Sequence, residues 1–201
     1  MLNQIRPALV MIVLLTILTG LAYPFAMTGI TQGLFPDQAN GSLIRRTDGT
    51  VLGSSLIGQN FTADKYFHGR LSATSDTDPN DPTKTIAAPY NAANSAGSNL
   101  GPTSQALADR VKADVATLAA QGITNPSVDL VTTSASGFDP DISPAGAEEQ
   151  IARVSAARNL SPDQVRQAVK AATSGRLLGL IGEPRVNVLQ LNMLLDGMKA
   201  S

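Results

Sequence analysis

Residues Pro7 to Ile30 read Pro-Ala-Leu-Val-Met-Ile-Val-Leu-Leu-Thr-Ile-Leu-Thr-Gly-Leu-Ala-Tyr-Pro-Phe-Ala-Met-Thr-Gly-Ile, and no charged residue lies between Arg6 and Asp37. A helix needs about 20 apolar residues to cross roughly 30 Å of hydrocarbon, so this stretch is long enough to span a bilayer. The rival reading is a cleavable secretory leader, with Arg6 ahead of an apolar core from Ala8 to Ile17 and Gly20-Leu21-Ala22 as a small-residue cut site. The apolar run continues past that point through Tyr23, Phe25, Met27 and Ile30, further than a leader needs. A retained anchor over residues 7–33 is therefore favoured, with residues 1–6 ahead of it and one soluble domain over residues 34–201.

Within the anchor, Ala22, Ala26, Gly29 and Gly33 recur at i, i+4, i+7 and i+11 and make one face without bulk. Small residues at that spacing let a second transmembrane helix approach closely, and Thr16 and Thr19 offer hydroxyls to it. Pro24 frees a backbone carbonyl that a neighbour can satisfy. Arg6 sits directly at one end of the span, whereas Asp37 comes first at the other and Arg45 and Arg46 lie further out. The excess of near positive charge puts residues 1–6 in the cytoplasm and the domain outside. The absence of cysteine argues neither way on location.

A net charge of −1 removes the broad basic surface of a nucleic-acid binder, and aromatics at 4 % with no tryptophan leave few base-stacking platforms. The remaining chain is long enough for one domain with its own core.

Beyond the anchor, Phe35-Pro36-Asp37-Gln38-Ala39-Asn40-Gly41 turns the backbone. Ser42 to Arg46 and Thr50 to Ser54 flank Thr47-Asp48-Gly49, which predicts a β-hairpin. From Phe61 to Thr103 periodic apolar positions are scarce and Gly, Pro, Ser, Asn and Asp abound, which reads as a long loop that is functional or disordered. Asp76-Thr77-Asp78-Pro79-Asn80-Asp81 imitates the start of a calcium loop. Asp81 stands where that loop needs glycine and Ala87 where it needs glutamate, so a solvated turn is the better account. These carboxylates, with Asp139 and Asp141, are candidates for an acidic surface that concentrates cations. Tyr90 to Thr103 offers amides, hydroxyls and close backbone approach. Such a loop can cradle an anion, yet it lacks the lysine and spacing of a P-loop.

Helices follow. Thr103 or Ser104 caps one with Leu107, Val111, Val115 and Leu118 on one face, closed by Gly122. Ser143-Pro144 opens a second, with Ile151 and Val154 inward, and Ser161-Pro162-Asp163-Gln164 is a capping box opening a third. Val128 to Thr133 and Leu177 to Ile181 read as short strands, and Asn187 to Leu195 as a final helix. The fold class is α+β: one N-terminal transmembrane helix, then a soluble domain with a hairpin, short strands and several helices.

Catalytic chemistry is hard to place. His68 is the one histidine and there is no cysteine, so a nucleophile–histidine or metal–histidine site must pass through Tyr66-Phe67-His68-Gly69-Arg70. Ser134 and Ser136 lie near Asp139 without a nucleophile elbow around them. The residues point to no catalytic, metal or tightly bound cofactor site.

Several ordered stretches carry a family resemblance: Arg6-Pro7-Ala8-Leu9 with Leu18 to Pro24; Gln38-Ala39-Asn40-Gly41-Ser42-Leu43; Tyr66 to Ala73; Tyr90-Asn91 with Gly97 to Pro102; Asp129 to Ser134 with Gly137-Phe138-Asp139-Pro140; and Gly182 to Val188. Over nearly its full length the chain resembles the C subunit of the Kdp potassium-transporting P-type ATPase, the KdpC family. Leu71, Ala96, Ala135 and Asp141 depart from that family's usual residues.

The resemblance implies a noncatalytic, single-pass subunit in a bacterial inner membrane. Its partners would be the bilayer and the ATP-hydrolysing and potassium-binding subunits of one pump, with no nucleic acid. It further implies a role in raising the pump's affinity for ATP, with Ser95, Gly97, Ser98 and Asn99 as a candidate nucleotide-linked loop and ATP engaged through the complex. That role conflicts with an extracytoplasmic domain, where ATP is out of reach. The alternative class is a solitary membrane-anchored extracytoplasmic binding protein that presents the polar loop to an outside ligand.

Overall fold

The structure is a computed structural model describing residues 2–197. The chain divides into two compact units, Met1–Ser54 and Ser55–Ser201.

The first unit is dominated by one 30-residue helix, α1 (Ile5–Leu34), with a mean hydropathy of 2.2 over its most apolar window. It is the one candidate membrane span among the described residues. None of its residues is buried, and Leu9, Phe25 and Ile30 stand open at 58, 72 and 52 %. The sequence reading did not anticipate a π-helical turn at Leu18–Ala22. Its cause is Pro24, which has no N–H to give the preceding turn, so the ladder widens there and Tyr23 N–H reaches back to Leu18 O. A four-residue helix, α2 (Pro36–Ala39), then leads to β1 (Leu43–Arg45) and β2 (Val51–Ser54), paired antiparallel. Asp48 Oδ1 accepts from Thr50 N–H at 2.8 Å and Gly49 sits at φ +86°, so this hairpin forms where its turn residues predict.

The second unit begins with an extended run that the sequence reading left as loop to Thr103. Half of that reading is wrong: β3 (Ser75–Asp78) and β4 (Asp81–Ala87) form a second antiparallel hairpin. Its strands carry Ser, Asp, Thr and Lys, with no apolar alternation to betray them. Of the solvated turn expected over Asp76–Asp81, only Pro79-Asn80 is a turn, since Asp76 to Asp78 belong to β3 and Asp81 opens β4.

Helix α3 (Gln105–Ala120) follows, ending at Gly122 with φ +88°. Its expected inner face, Leu107, Val111, Val115 and Leu118, is only half-buried. Then comes a correction. Val128 to Thr133 is not a strand, because Val128–Val131 forms a helical turn, α4. The β-branched residues favour a strand, but tertiary contacts decide. Asp129 accepts from Ser143 N–H at 2.7 Å and Ser143 Oγ at 2.9 Å, while Glu149 takes the Ser127 N–H at 3.0 Å. These bonds draw the segment onto the start of the next helix.

That helix, α5 (Pro144–Arg158), is capped by Ser143, whose Oγ accepts from Gly146 N–H at 2.9 Å. Helix α6 (Pro162–Ala171) opens on the expected capping box: Gln164 N–H to Ser161 Oγ at 3.2 Å, and Ser161 N–H to Gln164 Oε1 at 2.8 Å. A small sheet in the order β5-β7-β6 ties the region together, from β5 (Asp141–Ile142), β6 (Thr173–Ser174) and β7 (Arg185–Asn187). Helix α7 (Val188–Asp196) is capped by Asn187, which accepts from Gln190 N–H at 3.0 Å.

The second expected strand, Leu177 to Ile181, is also corrected. It is a tight reversal with a single bridge, Leu177 to Ile181. Its leucines are exposed instead of buried in a sheet.

The core gathers Phe67, Ile142, Ile151, Val154, Val165, Val169, Val186, Leu191 and Leu195 from α5, α6, α7, the sheet and one extended segment. Phe67 enters from outside any regular element, yet its side chain is fully buried. Its backbone is held by side chains: Phe67 N–H donates to Asn192 Oδ1 at 2.8 Å, and Asn192 Nδ2 returns a bond to Phe67 O at 3.0 Å. One residue on, Gln150 accepts from His68 N–H at 2.8 Å and donates to His68 O at 3.1 Å. Asn192 and Gln150 are only 1 and 2 % exposed. Two carboxamides thus do for this segment what a neighbouring strand does in a sheet.

Candidate functional site

On α1 the small-residue face is open. An ideal Cβ built on Gly29 or Gly33 meets nothing within 4 Å, so these glycines answer no contact among the described residues. Thr19 behaves differently from expectation: its Oγ1 donates to Leu15 O at 2.7 Å inside its own helix, leaving an acceptor to face outward. Thr31 likewise donates to Met27 O at 2.9 Å.

In the second unit, segments far apart in sequence converge on a cleft of about 350 Å³, lined among others by Gln59, Phe61, His68, Arg70, Leu71 and Tyr90. Arg70 is its hinge. One guanidinium nitrogen meets Asp139 Oδ2 at 2.9 Å, and the other reaches Thr132 Oγ1 at 3.2 Å and Thr133 O at 3.3 Å. Tyr90 hydroxyl donates to Arg70 O at 2.6 Å, and burial, helped by the Asp139 carboxylate, pushes the phenol up to about 12. Gly58 and Gly69 make room for that ring, since a Cβ on either would lie 2.5 Å from a Tyr90 atom. His68 is half-buried, and that burial, with the guanidinium of Arg153 beside it at 3.4 Å, lowers its pKa. Its Nε2 also lies 3.3 Å from Ala63 O.

The Ser95–Asn99 loop lies against the Ser134–Gly137 turn. Ser95 Oγ donates to Ser136 O at 3.0 Å, and a Cβ on Gly97 would lie 2.9 Å from Ala135 O. Asn99 takes φ +53°. Ala96 is not among the positive-φ residues, so the chain there needs no glycine. Opposite, Gly137 at φ +78° would set a Cβ 2.2 Å from Thr74 Cγ2. Gly97 therefore serves a crossing of two chain segments, and the hydroxyl of Ser95 is engaged in that crossing.

The acidic surface read from the sequence is largely neutralised. Asp139 pairs with Arg70 at 2.9 Å, Asp141 with Arg185 at 2.9 Å and Asp81 with Lys84 at 2.9 Å. Asp76 accepts from Thr77 N–H within β3, and Asp78 accepts from Asn80 N–H in the turn that follows. No group of three or more His, Cys, Asp or Glu side chains able to hold a metal occurs among the described residues. Burial leads in raising the Asp141 carboxyl, against the pull of Arg185.

Sequence reasoning missed Arg70, Tyr90, Gln150 and Asn192 as organising residues. The paired glycines and the aromatic at 66–70 and 90 were the available signal, but nothing in spacing joins residues 67 and 192.

The family model "KdpC: K+-transporting ATPase, c chain" matches residues 5–197. The chain is 64 % identical over 200 residues to the potassium-transporting ATPase KdpC subunit of Bradyrhizobium diazoefficiens, with 98 % of each chain covered. It is equally 64 % identical over 200 residues to the KdpC subunit of Rhodopseudomonas palustris, again with 98 % of each covered. For the KdpC subunit of Methylorubrum extorquens the figures are 63 % over 196 residues and 97 % of each.

Proposed function

Because the chain belongs to the KdpC family of K+-transporting ATPase c chains, we propose that it is a noncatalytic, single-pass subunit that assembles with the ATP-hydrolysing and potassium-binding subunits of one pump. The observation that carries this reading is α1: a helix of membrane length with no buried residue and with glycines that no contact among the described residues explains. A lone anchor needs only bulk apolar side chains, whereas open small-residue positions suit a neighbouring helix. The domain lies outside the membrane, as the position of Arg6 favours. Any effect on ATP affinity then runs through contacts between subunits, consistent with a Ser95–Asn99 loop engaged in packing.

Co-expression of the tagged full-length chain with the remaining pump subunits tests assembly. The subunits should co-purify, and potassium-stimulated ATP hydrolysis should fall when the chain is omitted. Recovery of the chain alone would return it to the class of solitary anchored proteins. Sidedness is read from an Ala93→Cys variant of this cysteine-free sequence. An impermeant maleimide should label it in intact spheroplasts, and labelling only after lysis would place the domain with cytoplasmic ATP.

A further inference from the structure

Between β6 and β7 the sequence runs Gly175-Arg176-Leu177-Leu178-Gly179-Leu180-Ile181-Gly182-Glu183-Pro184. Four large apolar side chains in five residues would be core in most folds, but here they project into solvent. Leu177, Leu178, Leu180 and Ile181 are 66, 85, 82 and 64 % exposed. The projection is stiff. Leu177 N–H bonds to Ile181 O at 2.9 Å, Ile181 N–H to Leu177 O at 3.0 Å, and Gly179 N–H to Arg176 O at 3.1 Å. Arg176 and Glu183 close the base with a 2.7 Å ion pair. At the tip, Leu178 takes φ +53° beside Gly179 at φ +74°. A leucine seldom holds the left-handed region, so this backbone is unfavourable by itself and serves to present the side chain.

Charge, composition and area choose the occupant. Loops that enter lipid interfaces combine apolar tips with surplus Lys or Arg and with interfacial aromatics. Here the flanking cations are matched, Arg176 by Glu183 and Arg185 by Asp141 at 2.9 Å, and residues 173–187 hold no aromatic. A second copy of the chain is also a poor fit, because a stable dimer buries about 20–30 residues a side and the tip offers four. A pump subunit already gripped at the open small-residue face of α1 has no such area requirement. Tethering raises the effective concentration, and a small pre-ordered apolar anchor in a pocket then supplies much of the affinity.

We propose that Leu177, Leu178, Leu180 and Ile181 form a rigid knob that inserts into an apolar pocket on the extramembrane surface of another subunit of the same pump. This rests on the reading of the chain as a pump subunit given above.

The test uses the full-length chain co-expressed with the remaining subunits. Leu178→Ser combined with Leu180→Ser should leave the thermal unfolding of the purified chain unchanged, since neither side chain touches the core, while lowering its recovery with the complex at least about tenfold. A separate Leu180→Cys chain carrying an environment-sensitive fluorophore reports the surroundings of the tip. Its emission should stay water-like in phosphatidylethanolamine–phosphatidylglycerol vesicles and shift to the blue on assembly with the pump. A blue shift in vesicles without pump subunits would assign the tip to lipid or, if it grew with protein density, to self-association, and either result overturns the proposal. Water-like emission in a complex that contains the chain overturns the knob alone. Failure of the unmodified chain to co-purify overturns the subunit reading and the knob together.

Discussion

Replacing Asn192 by alanine removes both hydrogen bonds that hold the Phe67 backbone, at 2.8 and 3.0 Å, from a position only 1 % exposed. Each buried polar group left without a partner costs about 1–3 kcal/mol, so two cost about 2–6 kcal/mol. Against a total stability of about 5–15 kcal/mol this is a large fraction. A domain of this size loses roughly 2–4 °C of Tm per kcal/mol, so Asn192→Ala should melt at least about 4 °C lower, and more than 10 °C lower if both groups stay dry. Far-UV circular dichroism of the full-length chain in mild detergent reads the shift, with exposed Gln190→Ala on the same helix as control. Asn192→Leu separates causes, since leucine refills the space yet satisfies neither group. The clamp is refuted if Asn192→Ala melts within a degree of the Gln190 control, or if Asn192→Leu restores the loss.

Ala26→Leu with Gly29→Leu should leave membrane insertion intact and cut co-purification with the pump several-fold, read by immunoblot of the membrane fraction and of the eluate; recovery equal to wild type would remove the small face as a contact. The folded-state pKa of His68 lies below its unfolded value near 6.5, so the unfolded chain binds more protons in that window. The stability linked to His68 is therefore complete above about pH 6.5 and declines as pH falls through the lowered folded value. His68→Gln should flatten that part of the Tm–pH profile, and an unchanged slope would remove His68 as its source. Gly137→Ala should lower Tm more than Gly122→Ala does. Both sit at positive φ, +78° and +88°, but only the first would drive a Cβ against Thr74, itself 2 % exposed; equal losses would leave backbone strain as the whole effect.

Features set by a few adjacent residues were legible in the sequence. Ser161 and Gln164 cap each other across three residues, Asp48-Gly49 turns its own hairpin, and a 24-residue apolar run needs no partner to declare itself. The misreadings share a different cause. Val128 to Thr133 has the composition of a strand, but Asp129 is bound by Ser143, 14 residues away. Leu177 to Ile181 reads as interior because hydrophobicity reports a preference for leaving water without saying whether the same chain fulfils it. The β3–β4 hairpin is too polar for a pattern based on burial. Of the candidate site, Gly97 and Gly137 showed that backbones approach closely, but their partners, Ala135 and Thr74, are fixed only by the fold. The Phe67–Asn192 pairing spans 125 residues, and no local rule reaches that far.

The π turn at Leu18–Ala22 acts as a phase shift along the membrane helix. One residue of an α-helix corresponds to about 100° of rotation, and the wide turn absorbs about one residue without breaking the ladder. The bulky surface over Leu9 to Ile17 is thereby turned relative to the small surface over Ala22 to Gly33, away from the alignment that an unbroken helix would give the same letters. The two halves can address two different neighbours, or one neighbour and lipid, from a single continuous rod. Deleting one residue within the turn would realign them by roughly a third of a revolution while leaving the span long enough to cross the bilayer.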